Sequence, residues 1–190
     1  MKSAILVIDM VKDTLDGTHS YPITPQALAM LPALNHLLIE GRRLGSQIIF
    51  STDSFLEEDF IFKGRMKAHA IRGTRGAETI DELDQRPGDI HLPKRRFSAF
   101  FKTDLDQTLR VKGIELVAVT GIATNFCVLA TALDAICYDF RAVIIEDCAA
   151  AFDLATHTRT VDNYRRNPLN PLFRVMTSHD FLREQAENPA

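Results

Sequence analysis

Short apolar, β-branched runs alternate along the chain with segments of helical spacing, and this alternation constrains the fold more than any other feature. Residues 3–8 are almost wholly apolar, which is typical of a strand buried on both faces of a sheet. Residues 25–44 carry leucines at helical spacing, and Thr24 followed by Pro25 favours a helix start there. Further strands are predicted at 47–52, 89–93, 116–120, 142–146 and 173–176, and further helices at 105–110, 126–138 and 154–166. We therefore expect a three-layer α/β/α fold of the α/β class, with a mostly parallel, six-stranded Rossmann-like sheet.

Length and composition narrow the possible functions. The 190 residues suit a single domain spanning 1–190, and the 46% of apolar residues argues against disorder. A net charge of -3 argues against nucleic-acid binding, and the absence of an apolar run of about 20 residues argues against a membrane protein. Three cysteines without a CxxC motif, and no signal-like segment, indicate a cytoplasmic location. Residues 54–88 are polar and irregular, and we expect a functional loop or lid there.

Ligands of parallel sheets bind beyond the carboxyl ends of the strands, so the residues at those ends are the candidate site. They are Asp9, Asp53, Lys94, the turn at 121–127 and the pair at 147–148. Cys127 stands where a strand gives way to a helix, and free N–H groups of a first helical turn are expected to lower the pKa of its thiol. The alternatives are a gap-filling cysteine, a solvated loop carboxylate at Asp9 and a surface lysine at position 94.

Three motifs in order resemble a known superfamily. An aspartate follows the first strand, Lys94 precedes the run Arg-Phe-Ser-Ala-Phe, and residues 121–128 read Gly-Ile-Ala-Thr-Asn-Phe-Cys-Val. This pattern, over residues 4 to about 152, resembles the isochorismatase-like cysteine hydrolases, which include nicotinamidases, ureido- and carbamoyl-amide hydrolases and isochorismatases. The resemblance implies a catalytic triad, a cis peptide bond between residues 122 and 123, an oxyanion hole of two backbone N–H groups, and a homo-oligomer. The triad would be Asp9, Lys94 and Cys127, the oxyanion hole would use Ala123 and Cys127, and the candidate substrate-binding residues are Phe97, Asn125 and Phe126.

These residue types predict a cysteine-dependent hydrolase that cleaves a C–N bond of a small amide, ureido or carbamoyl compound through a thioester. No motif for a dinucleotide cofactor follows a strand, and we expect no cofactor. The alternatives are a nicotinamidase, an isochorismatase-type vinyl ether hydrolase, which needs an acid but no thiol, and a non-catalytic binding relative.

One departure from the family pattern concerns a metal. Nicotinamidases of the superfamily carry a metal site built from an Asp-x-His pair after the second strand and a later histidine. Here Phe55 stands at the first histidine position, which leaves Asp53 and His69 as the only matching ligands if a metal is present. One carboxylate and one imidazole fall short of a closed zinc site, so we expect no metal and favour the metal-free branch. His157 and His179 are interpreted as surface or capping residues.

Overall fold

A parallel six-stranded sheet forms the centre of the molecule, seen in a computed structural model that describes residues 1–17 and 21–188. The strand order is β3-β2-β1-β4-β5-β6, and every pairing between neighbours is parallel. The strands are β1 (Ser3–Ile8), β2 (Gln47–Asp53), β3 (Ile90–Lys94), β4 (Leu116–Ile122), β5 (Arg141–Ala150) and β6 (Phe173–Met176). The helices are α1 (Lys12–Leu15), α2 (Thr24–Ala29), α3 (Leu31–Arg43), α4 (Leu105–Val111), α5 (Leu129–Cys137), α6 (Leu154–Arg165) and α7 (Ser178–Glu187).

Helices cover both faces of the sheet, which confirms the three-layer α/β/α fold. Ile5 and Val7 of β1 pack in one apolar core with side chains of α2, α3 and α7. Ala4, Leu6 and Ile8 alternate with them and pack in a second core with side chains of α4, α5 and α6. Alternate residues of a strand point to opposite faces, so a strand between two helical layers must be apolar throughout. This explains why β1 lacks the polar alternation of a half-exposed strand.

Element boundaries differ from the sequence expectation at α2 and α3 and at the end of β5. The helix predicted at 25–44 is two helices that meet at Met30, because Pro32 lies in the first turn of α3 and cannot continue the ladder of α2. Strand β5 extends to Ala150, so Asp147 and Cys148 lie within the strand and not at its end. The Cys148 side chain is fully buried, and its predicted place at the ligand edge is wrong.

The strand order creates a crevice beside β1. The chain moves outward from β1 through β2 to β3, and then returns to place β4 on the other side of β1. At such a switch point the connections leave the sheet in opposite directions, and ligands bind there in doubly wound folds. Asp9 follows β1, and the turn carrying Cys127 follows β4, so the two residues flank this crevice.

The segment 54–88 is irregular, as predicted, but it is packed against the molecule. It holds two 3₁₀ turns, Phe60–Lys63 and Arg75–Ala77, and single β-bridges link Phe55 to Ile71 and Val11 to Thr79. A small apolar core under the segment is formed by Val11, Phe55 and Ala70, with neighbouring aliphatic and aromatic side chains. Within the described ranges, no helix is both long and apolar enough for a membrane span.

Candidate active site

Asp9 leaves β1 in an unusual backbone conformation. Its φ of 54° is in the left-handed region, which a residue other than glycine rarely adopts and which often marks functional sites. Two hydrogen bonds hold it: its N–H donates to Ser51 O at 2.9 Å, and its Oδ1 accepts from the Asp53 N–H at 2.8 Å. The side chain is almost fully buried. The alternative interpretation of Asp9 as a solvated loop carboxylate is therefore wrong.

Gly121 lets β4 approach β1 closely at the site. Its φ is +94°, and a Cβ at this position would lie 2.1 Å from the carbonyl oxygen of Ile8, the residue before Asp9. No side chain can be accommodated at that distance, so only glycine allows this contact. The close approach sets the turn that follows β4 directly beside Asp9.

Cys127 lies in the turn after β4, which is a π-type turn at Thr124–Val128 rather than the predicted first turn of an α-helix. The N–H groups of Phe126 and Val128 both donate to Ala123 O, at 3.0 and 3.2 Å. The Ile122–Ala123 peptide bond is cis, as the resemblance implies. Among the described residues, none accepts a hydrogen bond from the Ala123 N–H. Cys127 itself is buried, with 8% of its surface exposed.

Lys94 contacts both Asp9 and Cys127. It is the last residue of β3, and its side chain is fully buried beneath the edge of the sheet. Its Nζ lies 2.8 Å from Asp9 Oδ2 and 3.7 Å from Cys127 Sγ. The lysine reaches these groups from the far side of β2, which the length of its four-carbon stem allows. The three residues predicted as a catalytic triad are therefore in mutual contact around one ammonium group.

Asp53 is a fourth member of this cluster, which the sequence placed at the same edge of the sheet but gave no role other than that of a metal ligand. Its Oδ1 lies 2.5 Å from Lys94 Nζ, and its side chain is buried. In the register of the sheet Asp53 is the direct partner of Lys94 on the neighbouring strand. The available signal was its place at the end of β2, since the ends of adjacent parallel strands meet at one edge.

The pKa values of the cluster follow from burial and charge. Burial, and next the charge of Asp53, raise the pKa of Asp9 to about 7. Burial and the Asp9 carboxylate raise the pKa of the Cys127 thiol well above its usual value, so the expected lowering by a helix terminus is wrong. Burial alone would lower the pKa of Lys94, but the adjacent Asp9 and Cys127 groups raise it overall. Near neutral pH the site therefore holds an ammonium, a thiol and a carboxylate that can accept a proton.

The residues at the family's metal position do not fit a metal ion. Asp53 is engaged by Lys94, and His69 Nδ1 lies 2.9 Å from Lys67 O. The His69 ring packs edge-on against Phe55, with ring centroids 5.5 Å apart, and against Phe62. In the described part of the chain, the donor atoms close enough to share one ion are those of Asp9, Asp53 and Cys127. The Lys94 ammonium already lies among those three groups, so a second cation there would be repelled.

The candidate substrate-binding residues lie beside the nucleophile turn. Phe97 and Phe126 pack together with ring centroids 5.7 Å apart, and each side chain remains 40% or more exposed. Asn125 is half-buried, and its Oδ1 is enclosed without a hydrogen-bond partner among the described residues. His179 is exposed, as predicted, but His157 is half-buried and bonded to the nucleophile turn, so its surface interpretation is wrong.

Comparisons with known proteins agree with the fold. Residues 3–180 match the model of the isochorismatase domain. An isochorismatase-like hydrolase from Alkaliphilus metalliredigens is 28% identical, with a TM-score of 0.84 over 97% of this chain and 99% of that chain. N-carbamoylsarcosine amidase from Thermoplasma acidophilum is 31% identical, with a TM-score of 0.79 over 94% and 97%. Nicotinamidase/pyrazinamidase from Bacillus subtilis is 25% identical, with a TM-score of 0.76 over 93% and 100%.

The three-layer α/β/α fold and the family match together define the class of protein. The chain belongs to the isochorismatase family, whose model covers nearly all of it, and it is a hydrolase. The structural neighbours include amidases, and amidases cleave amide C–N bonds.

Proposed function

We propose that this protein hydrolyses a C–N bond of a small ureido, carbamoyl or amide compound through a thioester on Cys127. The observation that carries the proposal is the contact of Lys94 Nζ with both Asp9 and Cys127, at 2.8 and 3.7 Å. A lysine without exposed side-chain surface is costly unless paired, and here its partners are a base and a nucleophile.

The first half of the reaction forms the thioester. Asp9 accepts the Cys127 proton while Sγ attacks the carbonyl carbon, and the charged Lys94 stabilises the sulfur as it becomes anionic. The oxyanion that forms accepts hydrogen bonds from the N–H groups of Ala123 and Cys127. One such donor typically contributes about 10²–10³ in rate. Asp9 then returns its proton to the departing nitrogen, so that ammonia or an amine leaves and the acyl group remains on sulfur.

The second half releases the acid. Asp9, ionised again, accepts a proton from water as the water oxygen attacks the thioester carbonyl. The same backbone donors stabilise the second oxyanion, and the thiolate leaves and regains its proton from Asp9. A carboxylate whose pKa is raised to about 7 suits both roles, because it gains and loses a proton at little cost near neutral pH.

The donor set of the crevice supports the proposed substrate class. A phenyl ring stands at the position of a family metal ligand, and Asp53 is bound to Lys94, so a ring nitrogen of nicotinamide would find no metal built for it. The exposed faces of Phe97 and Phe126 would contact the apolar part of the substrate. A vinyl ether hydrolase has no use for the thiol, and a binding relative has no physical need of the complete cluster.

Incubation with ureides, N-carbamoyl amino acids, simple amides and nicotinamide, with ammonia release as the readout, tests the proposal. We expect release from a ureido or carbamoyl member, abolished in Cys127→Ala and retained in Cys137→Ala, whose thiol is exposed on α5. Mass spectrometry of quenched enzyme should show an acyl adduct on the Cys127 peptide. Equal background release by the wild type and Cys127→Ala across the panel would contradict the proposal. Light scattering of the same samples tests the homo-oligomer that the family resemblance implies.

A further inference from the structure

Thr124 opens the turn that carries Cys127, and its side chain is fully buried. Its Oγ1 lies 2.8 Å from Nδ1 of His157, which belongs to α6. Among residues 1–17 and 21–188, His157 is the only hydrogen-bond partner of this hydroxyl. A buried hydroxyl is costly without a partner, so the bond to His157 fixes where the threonine, and hence the start of the turn, lies.

His157 is well suited to hold this hydroxyl. Its ring is half-buried, and burial lowers its pKa, so the imidazole is neutral near pH 7 and keeps one nitrogen free to accept. The first turn of α6 is capped by the Asp153 side chain, which accepts from the Thr156 N–H at 2.7 Å. Near its last turn Arg165 pairs with Glu146 of β5, which attaches that end of the helix to the sheet. The imidazole therefore comes from a helix outside the cluster of Asp9, Lys94 and Cys127.

We propose that His157 is a positioning residue of the active site: through Thr124, it holds the turn whose Ala123 and Cys127 N–H groups receive the oxyanion. This inference rests on the proposed function, and it adds an element that the Asp–Lys–Cys cluster does not contain. The turn has to keep two backbone donors aimed at one oxygen atom, and a displacement of about 1 Å can cost about 10²-fold in rate. The bond at 2.8 Å ties the first residue of that turn to α6.

Two reagents separate positioning of the oxyanion donors from simple exposure of the thiol. With p-nitrophenyl acetate, Sγ attacks the ester carbonyl, the thiol proton passes to Asp9, and p-nitrophenolate leaves after a tetrahedral oxyanion. With iodoacetamide, Sγ displaces iodide directly and no oxyanion forms. We expect His157→Ala and Thr124→Val to slow acylation of Cys127 by about 10- to 100-fold while leaving its alkylation unchanged.

Conservative variants and a matched histidine complete the design. His157→Asn keeps an amide group near Nδ1, and Thr124→Ser keeps the hydroxyl, so both should recover most of the acylation rate. His179→Ala, at an exposed histidine, should acylate like the wild type. If the bond carries the effect, the double variant Thr124→Val, His157→Ala should lose no more than either single one. Thr124→Val preserves side-chain volume, so it tests the bond even where His157→Ala is unstable.

The outcomes separate the two proposals. If Thr124→Val and His157→Ala are acylated as fast as the wild type, the positioning role is overturned and the proposed function is not. Equal losses of acylation and alkylation would also overturn it, because they would show that the thiol itself had moved. A wild type that is alkylated at Cys127 but never acylated there would contradict the proposed function together with this inference.

Discussion

Lys94 Nζ lies 2.5 Å from Asp53 Oδ1, so the buried lysine is held by a carboxylate outside the catalytic triad that the sequence predicts. Two carboxylates, from Asp9 and Asp53, thus share one ammonium in a buried site. The charge of Asp53 raises the pKa of Asp9, and the Lys94 ammonium opposes this. The protonation of the base in the proposed mechanism therefore depends on burial first and next on Asp53, a residue that takes no direct part in the chemistry.

The activity should fall in acid with the titration of Asp9. Its pKa is raised to about 7, chiefly by burial, and the ionised form is the one that accepts the Cys127 proton. Below this pH the carboxyl is already protonated, so kcat/KM should fall by about tenfold for each pH unit. Measurement of kcat/KM from about pH 5 to about pH 9, a range that spans the pKa of Asp9, checks this prediction. A profile that stays flat down to pH 5 would exclude Asp9 as a base with this pKa.

Asp53→Asn should move the fall of kcat/KM in acid, which is the acid limb of the pH profile, to lower pH. The substitution keeps an oxygen that accepts from Lys94 but removes the charge that helps to raise the pKa of Asp9. Without that charge the Asp9 carboxylate persists to lower pH. Glu57→Gln, an equal change of charge at an exposed position, is the matched control and should leave the limb in place. A limb that is unmoved, or moved to higher pH, in Asp53→Asn would be evidence against this coupling.

Lys94→Met should destabilise the fold as well as abolish activity. It leaves two neighbouring carboxylates buried without their ammonium, and breaking a buried ion pair in this way costs about 3–5 kcal/mol. Urea unfolding near pH 7 measures the loss. Adding Asp53→Asn to Lys94→Met should restore part of the stability, because one of the two uncompensated charges is then removed. If the double variant is no more stable than the single one, the charge explanation is wrong.

Gly121→Ala should be far more damaging than Gly113→Ala. Both glycines have positive φ, +94° and +67°, but a Cβ at Gly113 would meet open space whereas one at Gly121 would collide with the Ile8 backbone. The Gly113 variant should lose only the left-handed penalty of about 1–2 kcal/mol. The Gly121 variant should lose more stability and separate the Cys127 turn from Asp9, which lowers kcat as well. Equal unfolding free energies for the two variants would contradict the close approach of β4 and β1.

Asp59→Asn should loosen the loop at residues 54–64. The buried Asp59 carboxylate binds Arg95 through two contacts, at 2.5 and 3.2 Å, and accepts from the Leu56 N–H at 2.8 Å. The Arg95 hydrogen bonds lower the pKa of Asp59 to about 2, so in the wild type this attachment persists at pH 4 and is lost only as the pH falls through about 2. Hydrogen exchange of the loop should be faster in Asp59→Asn and unchanged in Glu58→Gln, whose side chain is exposed. Loop protection that is the same in both variants would show that the apolar contacts alone hold the segment.

The sequence by itself determined the layered α/β fold and the three residues that the structure brings together as the candidate catalytic cluster. The unbroken apolar run of β1 reflects burial on two faces, and it can be read from the sequence because it involves only neighbouring residues. Asp9, Lys94 and Cys127 could be placed at one edge of the sheet because parallel strands end together. Residues 54–88 were recognisable as irregular from their composition, although their packing against Val11 was not.

Other properties of the site were decided by the tertiary structure alone. The pairing of Asp53 with Lys94 depends on the register of β2 and β3, and that of Thr124 with His157 depends on where α6 packs. The pKa of Cys127 is raised, whereas the sequence predicted a lowered one, because burial beside a carboxylate outweighs the local effect of a helical turn. These pairings and the pKa arise from contacts between residues that are distant along the chain, and a local sequence pattern does not name the partner in such a contact.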